Sequence, residues 1–547
     1  MEDKAQILET AKQEQLNGNY EAALNMIQSI FDPEDFDIAF EYGKTLFFLR
    51  RFDEAVSLFL QVNKKFPDNK NVMDILLKSY KESGRTKELL NFFNSRHENI
   101  EPSLILETAE IFFNEKKYSE SVQFYGRYID LKKEDVAVAS KLVQIYNFLG
   151  EKDKVFKICE MYFQNDAVKN NKFFYNLFLN EYEIAAGKTV LESKPRIMLV
   201  MLTNKCNLKC PMCATVHQSN HWEISDKFKQ YILENLPNLE LITWQGGEVF
   251  LYKDFEKLFI EASKNKNLKQ IIITNALLVD AKWANLLSSA NYLDLTVSID
   301  SIEKEVYEKL RFGAKFEQLL FNLDNIKSAR IKNNSNITLT MRTTISDENI
   351  YTLDKIVDFA INYKFDVLIW SPLSVDGLDG RDGRKYDFDG KSLKTLEDIN
   401  VIRQKALKKA RENNIKVLDW LPEIILKEKQ PFQENDKQEK INAEPKTDKE
   451  NEVCSGVSSL CGSFEKMPLC FRPWKQLATT VNGDLKPECM CLKEAGNIHK
   501  CEDYGSVWNN LQMQQYRSSL AAFKQDWCCD SCINGIVSPE HKKFTCW

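Results

Sequence analysis

The stretch "MLTNKCNLKCPMCATVHQ", residues 201–218, contains three of the chain's 14 cysteines, Cys206, Cys210 and Cys213, in the spacing C-x3-C-x2-C. The apolar run "RIMLVML" around its start predicts a buried strand that ends where the cysteines begin. In a reducing compartment, clustered thiols indicate a metal site or a catalytic group. A structural zinc site takes four ligands, and His217 could supply the fourth. Three thiolates alone suit a 4Fe–4S cluster that keeps one iron open for another ligand.

Length and composition predict a globular protein with more than one domain. The 547 residues are 43% hydrophobic and 28% charged, which is ordinary for a folded protein but too long for a single core. A net charge of -6 without a basic stripe gives no reason to expect a nucleic-acid partner. The start of the chain lacks a secretory signal, and no apolar run approaches the length of a membrane span. We therefore expect a cytoplasmic protein without a membrane partner.

The amino-terminal part, residues 1–185, is predicted to form an all-α repeat domain. Similar segments recur with separations of 32, 34, 32 and 34 residues, at the equivalent positions Tyr20, Phe52, Thr86, Tyr118 and Lys152. Each segment joins two amphipathic helical stretches through a turn that contains glycine or lysine. A period near 34 residues resembles the tetratricopeptide repeat, which implies a solenoid of helical pairs. A plain helical bundle is the alternative interpretation.

The sequence changes character at about residue 190. Between 190 and 425, six β-rich runs alternate with helical stretches: "RIMLVMLT", "ELITWQ", "KQIIITN", "YLDLTVSID", "NITLTMRTT" and "FDVLIWSPL". This alternation predicts parallel βαβ units, and six of them indicate a partial (β/α)6 TIM barrel.

The last part of the chain divides into a linker and a small domain. Residues 426–466 contain few large apolar side chains and are predicted to be a flexible linker. Residues 467–547 are rich in cysteine and are predicted to form a small α+β domain that depends on metal for its stability.

The three-cysteine motif and the motifs that follow it resemble the radical S-adenosylmethionine (radical SAM) enzymes. The resemblance implies that Cys206, Cys210 and Cys213 hold a 4Fe–4S cluster whose open iron binds SAM. It also implies reductive cleavage of SAM to a 5′-deoxyadenosyl radical, which abstracts hydrogen from a substrate. The electron donor implied by this resemblance is a protein such as flavodoxin or ferredoxin.

The same resemblance implies a set of residues that contact SAM. "TWQGGEVFL" resembles the family's GGE segment, "IITNALL" its TNG pattern with Ala276 in place of glycine, and "TVSIDS" followed by "RFGAKF" its fourth-strand pattern. Glu248 is expected to accept from the SAM amino group, whereas Ser298 and Arg342 are expected to reach the SAM carboxylate. The expected cofactor-binding residues are Met212, Gly246, Gly247, Glu248, Thr274, Asn275, Ser298, Asp300 and Arg342.

The carboxyl-terminal cysteines resemble the auxiliary-cluster region called SPASM or twitch. That resemblance implies one auxiliary 4Fe–4S cluster held by Cys470, Cys489, Cys529 and Cys532. A second auxiliary cluster is an open alternative, with candidate ligands Cys491, Cys501, Cys528 and Cys546. A zinc-ribbon tail is the other alternative.

These features predict a radical SAM enzyme that modifies a peptide or protein docked by the repeats. A rival substrate is a sugar or nucleotide-sugar, which would undergo dehydration, oxidation or epimerisation. An alternative of another class is a repeat scaffold whose clusters are structural or sensory. The sequence identifies no catalytic acid or base.

Overall fold

A computed structural model describes residues 4–67, 69–94, 101–213, 215, 220–375, 384–385, 391–424, 470–488, 491 and 493–522. The chain divides into two compact units, Met1–Ala167 and Val168–Trp547. The predicted linker at 426–466 lies outside the described residues. Within the described ranges, no helix combines the length and apolar composition needed to cross a membrane.

The first unit consists of helices. They are α1 (Lys4–Leu16), α2 (Tyr20–Ser29), α3 (Phe36–Phe48), α4 (Phe52–Lys65), α5 (Lys70–Glu82), α6 (Thr86–Asn94), α7 (Pro102–Asn114), α8 (Tyr118–Leu131), α9 (Val136–Phe148) and α10 (Lys152–Phe163), with the short α11 (Asp166–Lys169) at the boundary between the units. Asp35, Asn69 and Asp135 begin α3, α5 and α9 by accepting hydrogen bonds from backbone N–H groups of the first turn. Within the unit, α1 contacts α3, α3 contacts α5 and α5 contacts α7.

The spacing predicted from the sequence is also the spacing of the helices in the structure. The second helix of each pair begins at one of the five equivalent residues, Tyr20, Phe52, Thr86, Tyr118 and Lys152. Two residues before each of these starts, the chain turns through a left-handed residue: Gly18 (φ 81°), Arg50 (φ 59°), Gly84 (φ 69°), Lys116 (φ 63°) and Gly150 (φ 75°). The predicted helical character of this region is therefore confirmed, and its described residues form helices at the predicted spacing, whereas the assignment to a tetratricopeptide solenoid stays a prediction.

The second unit is built on one large sheet. Its strands are β1 (Ile197–Met201), β2 (Leu241–Gln245), β3 (Lys269–Thr274), β4 (Leu293–Ser298), β5 (Thr338–Ile345), β6 (Val367–Pro372), β7 (Ser374–Val375), β8 (Arg384–Lys385), β9 (Lys416–Asp419), β10 (Gln476–Thr479), β11 (Asp484–Lys486) and β12 (Gly496–Asn497). The sheet order is β12-β11-β10-β1-β2-β3-β4-β5-β6-β9, and β7 pairs separately with β8. In this order, each strand from β10 through β1 to β9 is parallel to its neighbour. The pairs β10–β11 and β11–β12 are antiparallel.

The second unit also contains helices, most of which lie between strands in the chain. They are α12 (Lys172–Ala185), α13 (Asp226–Asn235), α14 (Phe255–Ser263), α15 (Ala281–Ser288), α16 (Lys304–Leu310), α17 (Phe316–Lys332), α18 (Leu353–Asn362), α19 (Leu393–Glu412), α20 (Arg472–Lys475), α21 (Tyr504–Val507) and α22 (Leu511–Ala521). Short 3-10 turns lie at Leu236–Asn238, Val249–Leu251 and Ile350–Thr352. Because consecutive parallel strands are neighbours, the loops that follow β1 to β6 meet at one edge of the sheet.

All six predicted parallel strands are present, and the same sheet contains further strands that the sequence does not predict there. The sequence does not predict β9, a short strand with a charged residue at each end, which pairs with β6 as a further parallel strand. The carboxyl-terminal strands were expected in a separate domain, but β10 pairs with β1 and continues the same sheet. The free edge of β1 explains this difference, because an unpaired strand edge leaves backbone groups without partners. The helix α12 also belongs to the second unit, although the sequence assigns it to the repeat domain.

A buried ion network joins three distant parts of the second unit. Glu181 of α12 and Arg196 before β1 form an ion pair that is almost fully excluded from solvent. Lys475 at the end of α20 lies 2.8 Å from the same carboxylate, and Arg196 also donates to Glu240 at 2.7 Å. Burial alone would raise the pKa of Glu181, but the two cations outweigh burial and hold the pKa at about 2. The carboxylate is therefore ionised and fully compensated in the folded chain.

We predict that Arg196→Met lowers the free energy of unfolding of the second unit by about 3–5 kcal/mol, because it leaves buried carboxylates undercompensated. All nine tryptophans lie after residue 220, so tryptophan fluorescence during denaturation reports on this unit without the helical repeats.

The matched control is Lys227→Met, which removes a cation from an exposed pair with Glu502. It should leave the tryptophan-detected unfolding midpoint unchanged, since exposed ion pairs contribute little. An Arg196→Met midpoint equal to that of the control would show that the network does not stabilise this unit.

Candidate active site

The three cysteines of the motif lie on one loop that begins directly after β1. Cys210 is buried, whereas Cys206 and Cys213 are half-buried, and all three are free thiols. The backbone N–H of Cys213 donates to the carbonyl of Cys210 at 3.0 Å, which forms a tight turn. The backbone N–H of Leu208 donates to the sulfur of Cys206 at 3.4 Å, an interaction that also favours a thiolate. The loop therefore presents three sulfurs in a fixed backbone conformation.

Burial and neighbouring charges shift the pKa values of two of the thiols, Cys206 and Cys210. Burial is the main cause that raises the pKa of Cys206 to about 11; the charges of Glu248, Cys210 and Cys213 contribute to the rise, and the Leu208 N–H opposes it. Burial also raises the pKa of Cys210, while Arg311 opposes the rise. Ligation of a metal must therefore displace protons from these thiols at neutral pH.

This donor set fits an iron–sulfur cluster. In a cluster each thiolate binds a different iron, so the sulfurs need not converge on a single point. Among the described residues, no three His, Cys, Asp or Glu side chains converge as one metal ion would require. The zinc alternative depends on His217, which lies outside the described residues. The three cysteines would hold the cluster, with the loop backbone positioning their sulfurs.

The glycines after β2 allow this strand end to contact the cysteine loop. Gly247 donates its backbone N–H to the carbonyl of Thr203 at 2.8 Å, and Glu248 donates its own to the carbonyl of Lys205 at 2.8 Å. A Cβ on Gly247 would lie 2.1 Å from the Lys205 oxygen, and one on Gly246 would lie 2.7 Å from the Thr203 oxygen. No side chain fits there. The close approach of these two segments of the protein therefore requires glycine at both positions.

Glu248 joins the ends of two strands. Its carboxylate is buried and accepts from the Thr274 hydroxyl at 2.7 Å and from the Asn275 backbone N–H at 2.9 Å. Burial raises the pKa of Glu248 to about 7, although these hydrogen bonds oppose the shift. The Asn275 side chain in turn donates to Asn207 at 2.9 Å and lies 4.0 Å from the Cys206 sulfur. These predicted site residues are therefore connected to the cysteine loop.

Ala276, where the resembled pattern has glycine, adopts a left-handed conformation with φ 61°. This conformation costs an alanine roughly 1–2 kcal/mol, which explains why glycine suits the position. The carbonyl of Ala276 accepts from the buried Asn322 side chain at 2.8 Å, and its N–H donates to the Thr274 hydroxyl at 2.9 Å. These contacts hold the turn that follows β3 despite the substitution.

Ser298 and Arg342 lie side by side on β4 and β5. They are register partners across the two strands, as a joint role on one ligand requires. Burial lowers the pKa of Arg342, and its guanidinium carbon lies 5.5 Å from the ring centre of Trp420. Trp420 follows β9 and was not predicted, because nothing in the sequence indicates that this strand reaches the site.

Asp300 is fully buried and both carboxylate oxygens contact the protein. One oxygen accepts from the Thr344 backbone N–H at 2.9 Å, and the other lies 2.6 Å from the Nε of Arg311. The sequence pattern includes Arg311 in "RFGAKF" but assigns it no role; only the packing of the loops places it beside Asp300.

The structure also describes Met212 and part of the predicted auxiliary ligands. Met212 is half-buried within the turn between the last two cysteines. Of the predicted auxiliary ligands, Cys470 is half-buried just before α20, whereas Cys489, Cys529 and Cys532 lie outside the described residues. Of the alternative ligands, Cys491 and Cys501 are half-buried, and Cys528 and Cys546 lie outside the described ranges.

Similar solved structures cover most of the chain at low similarity. Streptococcus suis SuiB bound to S-adenosylmethionine aligns with a TM-score of 0.43 and 17% identity, over 69% of this chain and 80% of SuiB. The structure of anSMEcpe with bound AdoMet aligns with a TM-score of 0.38 and 16% identity, over 62% of this chain and 83% of anSMEcpe.

Sequence comparison covers the cysteine loop and the strands around it. The GTP 3′,8-cyclase of Synechocystis sp. is 28% identical over 204 residues, which span 36% of this chain and 60% of the cyclase. The Fe-coproporphyrin III synthase of Methanosarcina barkeri is 28% identical over 173 residues, 30% of this chain and 41% of the synthase. The chain thus spans about half the length of these relatives. Residues 200–360 match the Radical SAM superfamily, and the chain therefore contains a radical SAM domain.

Proposed function

We propose that this chain is a radical SAM enzyme that abstracts hydrogen from a peptide or protein substrate. The observation that carries the proposal is the connection of the three-cysteine loop to the Gly246–Glu248 segment and to Asn275 at one sheet edge. When bound, the cluster and SAM supply a 5′-deoxyadenosyl radical. A flavodoxin or ferredoxin is the proposed electron donor.

The chain's own residues would bind and orient SAM. Ser298 and Arg342, adjacent on β4 and β5, offer a hydroxyl and a cation to a carboxylate. The buried Glu248 acts mainly by holding Thr274 and Asn275, and it adds an acceptor near the SAM amino group. Met212, in the cysteine turn, would pack on adenine with its thioether.

The helical repeats support a polypeptide substrate. Helical pairs that stack expose an extended surface, which suits a long partner better than a small metabolite. A small-molecule substrate, such as a sugar or nucleotide-sugar, is the second candidate. It is favoured by the similarity of the radical SAM domain to a protein whose name denotes a reaction on GTP. A scaffold with structural or sensory clusters is the alternative that an absence of SAM cleavage would favour.

We predict that the anaerobically reconstituted chain carries two 4Fe–4S clusters, about eight irons, one on the loop and one auxiliary cluster with Cys470, Cys489, Cys529 and Cys532 as ligands. Replacing Cys206, Cys210 and Cys213 together by Ala should remove one cluster and abolish formation of 5′-deoxyadenosine. Iron analysis and chromatography of the nucleoside products measure both outcomes.

The control for loss of a thiol is Cys159→Ala, a buried cysteine of α10 that lies in the other unit. It should retain all the iron and the cleavage of SAM. Zinc in place of iron after anaerobic preparation, or cleavage that survives in the triple variant, would contradict the proposal.

We predict that Ser298→Ala combined with Arg342→Ala weakens SAM binding by a factor of about 10–150, because a lost charge-assisted hydrogen bond costs about 1.5–3 kcal/mol. Equilibrium binding of SAM to the reconstituted chain measures the effect, and the iron content should stay unchanged. Glu248→Gln should also weaken SAM binding, because it removes the negative charge that would face the SAM amino group. The amide keeps the size of the side chain and an oxygen that accepts hydrogen bonds.

Lys282→Met, which removes an exposed cation paired with Glu256, is the matched control and should bind SAM normally. A parallel loss of iron and affinity in the Ser298/Arg342 variant would show that these residues support the fold and do not contact SAM.

We predict that deletion of residues 1–167 preserves SAM cleavage without substrate but slows modification of a polypeptide substrate at least tenfold. The deletion ends before α12, because that helix carries Glu181 of the buried network. Mass spectrometry of a peptide that the full chain modifies provides the rate.

The tryptophan fluorescence of the truncated chain should match that of the full chain, which establishes that the remaining unit is folded. An unchanged rate and affinity for the peptide would refute docking by the repeats and would favour the small-molecule candidate.

A further inference from the structure

The guanidinium of Arg342 lies against an aromatic ring. Its central carbon is over the ring of Trp420, 5.5 Å from the ring centre, which is within the range of a cation–π interaction. Among the residues that the structure describes, no carboxylate or carbonyl accepts a hydrogen bond from this guanidinium. A guanidinium carries its five N–H donors in its plane, so contact with an aromatic face leaves them available to a ligand.

The sheet places Trp420 on the face that carries Arg342. Arg342 on β5 is the register partner of Ile369 on β6, and Ile369 is the register partner of Leu418 on β9. Side chains two residues apart in an extended strand lie on the same face of the sheet, and Trp420 follows Leu418 by two residues. The large indole therefore extends across β6 to reach the cation on β5.

Hydrogen bonds on both sides of Trp420 fix its backbone. Its N–H donates to the carbonyl of Trp370 at 2.9 Å, which continues the pairing of β9 with β6. Arg403 of α19 donates from Nε to the carboxylate of Asp419 at 2.6 Å and from a terminal nitrogen to the carbonyl of Pro422 at 2.8 Å. The ring thus belongs to a segment tied to both the sheet and α19, although Trp420 is 38% exposed.

The carboxylate at the end of the neighbouring strand already has its partners. Asp300, two residues after β4, accepts from the backbone N–H of Thr344 with one oxygen. Its other oxygen lies 2.6 Å from the Nε of Arg311. Within the described residues, Arg342 therefore has an aromatic partner but no carboxylate, and its charge is available to a bound anion.

We propose that Trp420 positions Arg342 for the SAM carboxylate by holding the face of the guanidinium. The proposal rests on the proposed function, which assigns Arg342 to that carboxylate. A long side chain that is already held in place loses less conformational entropy when a ligand binds. Trp420 is accordingly a positioning residue, because it acts on SAM through Arg342.

The test is a double-mutant cycle on SAM affinity, measured by equilibrium binding to the anaerobically reconstituted full chain. Trp420→Leu removes the aromatic face and should weaken SAM binding by a factor of about 2–30, the range of a cation–π interaction. Trp420→Phe keeps an aromatic face and should weaken binding less. In a chain that already carries Arg342→Ala, Trp420→Leu should have no further effect, because the residue through which it acts is gone.

The matched control is Tyr292→Leu, which removes another exposed ring that lies against a cation. The Nζ of Lys269 lies 5.6 Å from the centre of the Tyr292 ring. These two residues lie at the starts of β4 and β3, at the edge of the sheet opposite the cysteine loop. The control should bind SAM with parental affinity. An affinity of Trp420→Leu equal to that of the control, with the iron retained, would overturn the proposal.

Iron content and the unfolding midpoint reported by the remaining tryptophans separate positioning from packing. An equal loss of SAM affinity with and without Arg342 would mean that the ring acts independently of the cation, which overturns the proposal. Loss of iron or of folding in both Trp420→Leu and Trp420→Phe would identify a packing residue and would overturn it as well. If only Trp420→Leu loses iron, Trp420→Phe takes its place in the cycle under the same criteria.

The single variant Arg342→Ala tests the underlying assignment separately. Parental SAM affinity in this variant would refute the role that the proposed function gives to Arg342, whatever the effect of Trp420→Leu. Weaker binding in Arg342→Ala together with parental binding in Trp420→Leu would refute only the positioning by Trp420.

Discussion

The site depends on two backbone hydrogen bonds between the end of β2 and the cysteine loop, from Gly247 to Thr203 and from Glu248 to Lys205. They require glycine at the two positions before Glu248, because a Cβ on Gly246 or Gly247 would overlap the loop backbone. The Glu248 carboxylate in turn accepts hydrogen bonds from Thr274 and Asn275 and so holds the end of β3. One close approach thus organises the cysteines and two neighbouring strand ends together.

The loop also needs a fixed β1, and the carboxyl-terminal part of the chain provides it. β10 pairs with β1 along the edge opposite β2, and Lys475, next to β10, joins Arg196 and Glu181 in the buried ion network. Arg196 comes directly before β1, so the network fixes the strand at its start while the glycine contact fixes the loop at its end. This explains why a segment distant in sequence belongs to the same unit.

Charges of both signs surround the cysteines. Glu248 disfavours a thiolate at Cys206, whereas Arg311 favours one at Cys210. Each of these groups is held by further protein contacts, Glu248 by Thr274 and Arg311 by Asp300. Charges held in this way act more strongly than mobile charges at the surface, because solvent and salt screen them less.

The sequence by itself determined the helical repeat, the six parallel strands and the cysteine loop. These features follow from periodicity and spacing, which depend only on residues that are close together in the chain. Only the tertiary structure decided that β9 and β10 extend the sheet, that Trp420 stacks near Arg342, and that Arg311 pairs with Asp300. These contacts join residues far apart in the chain, and their geometry depends on how strands pair and loops pack. No local pattern of residues specifies which distant side chain fills the space beside a given group.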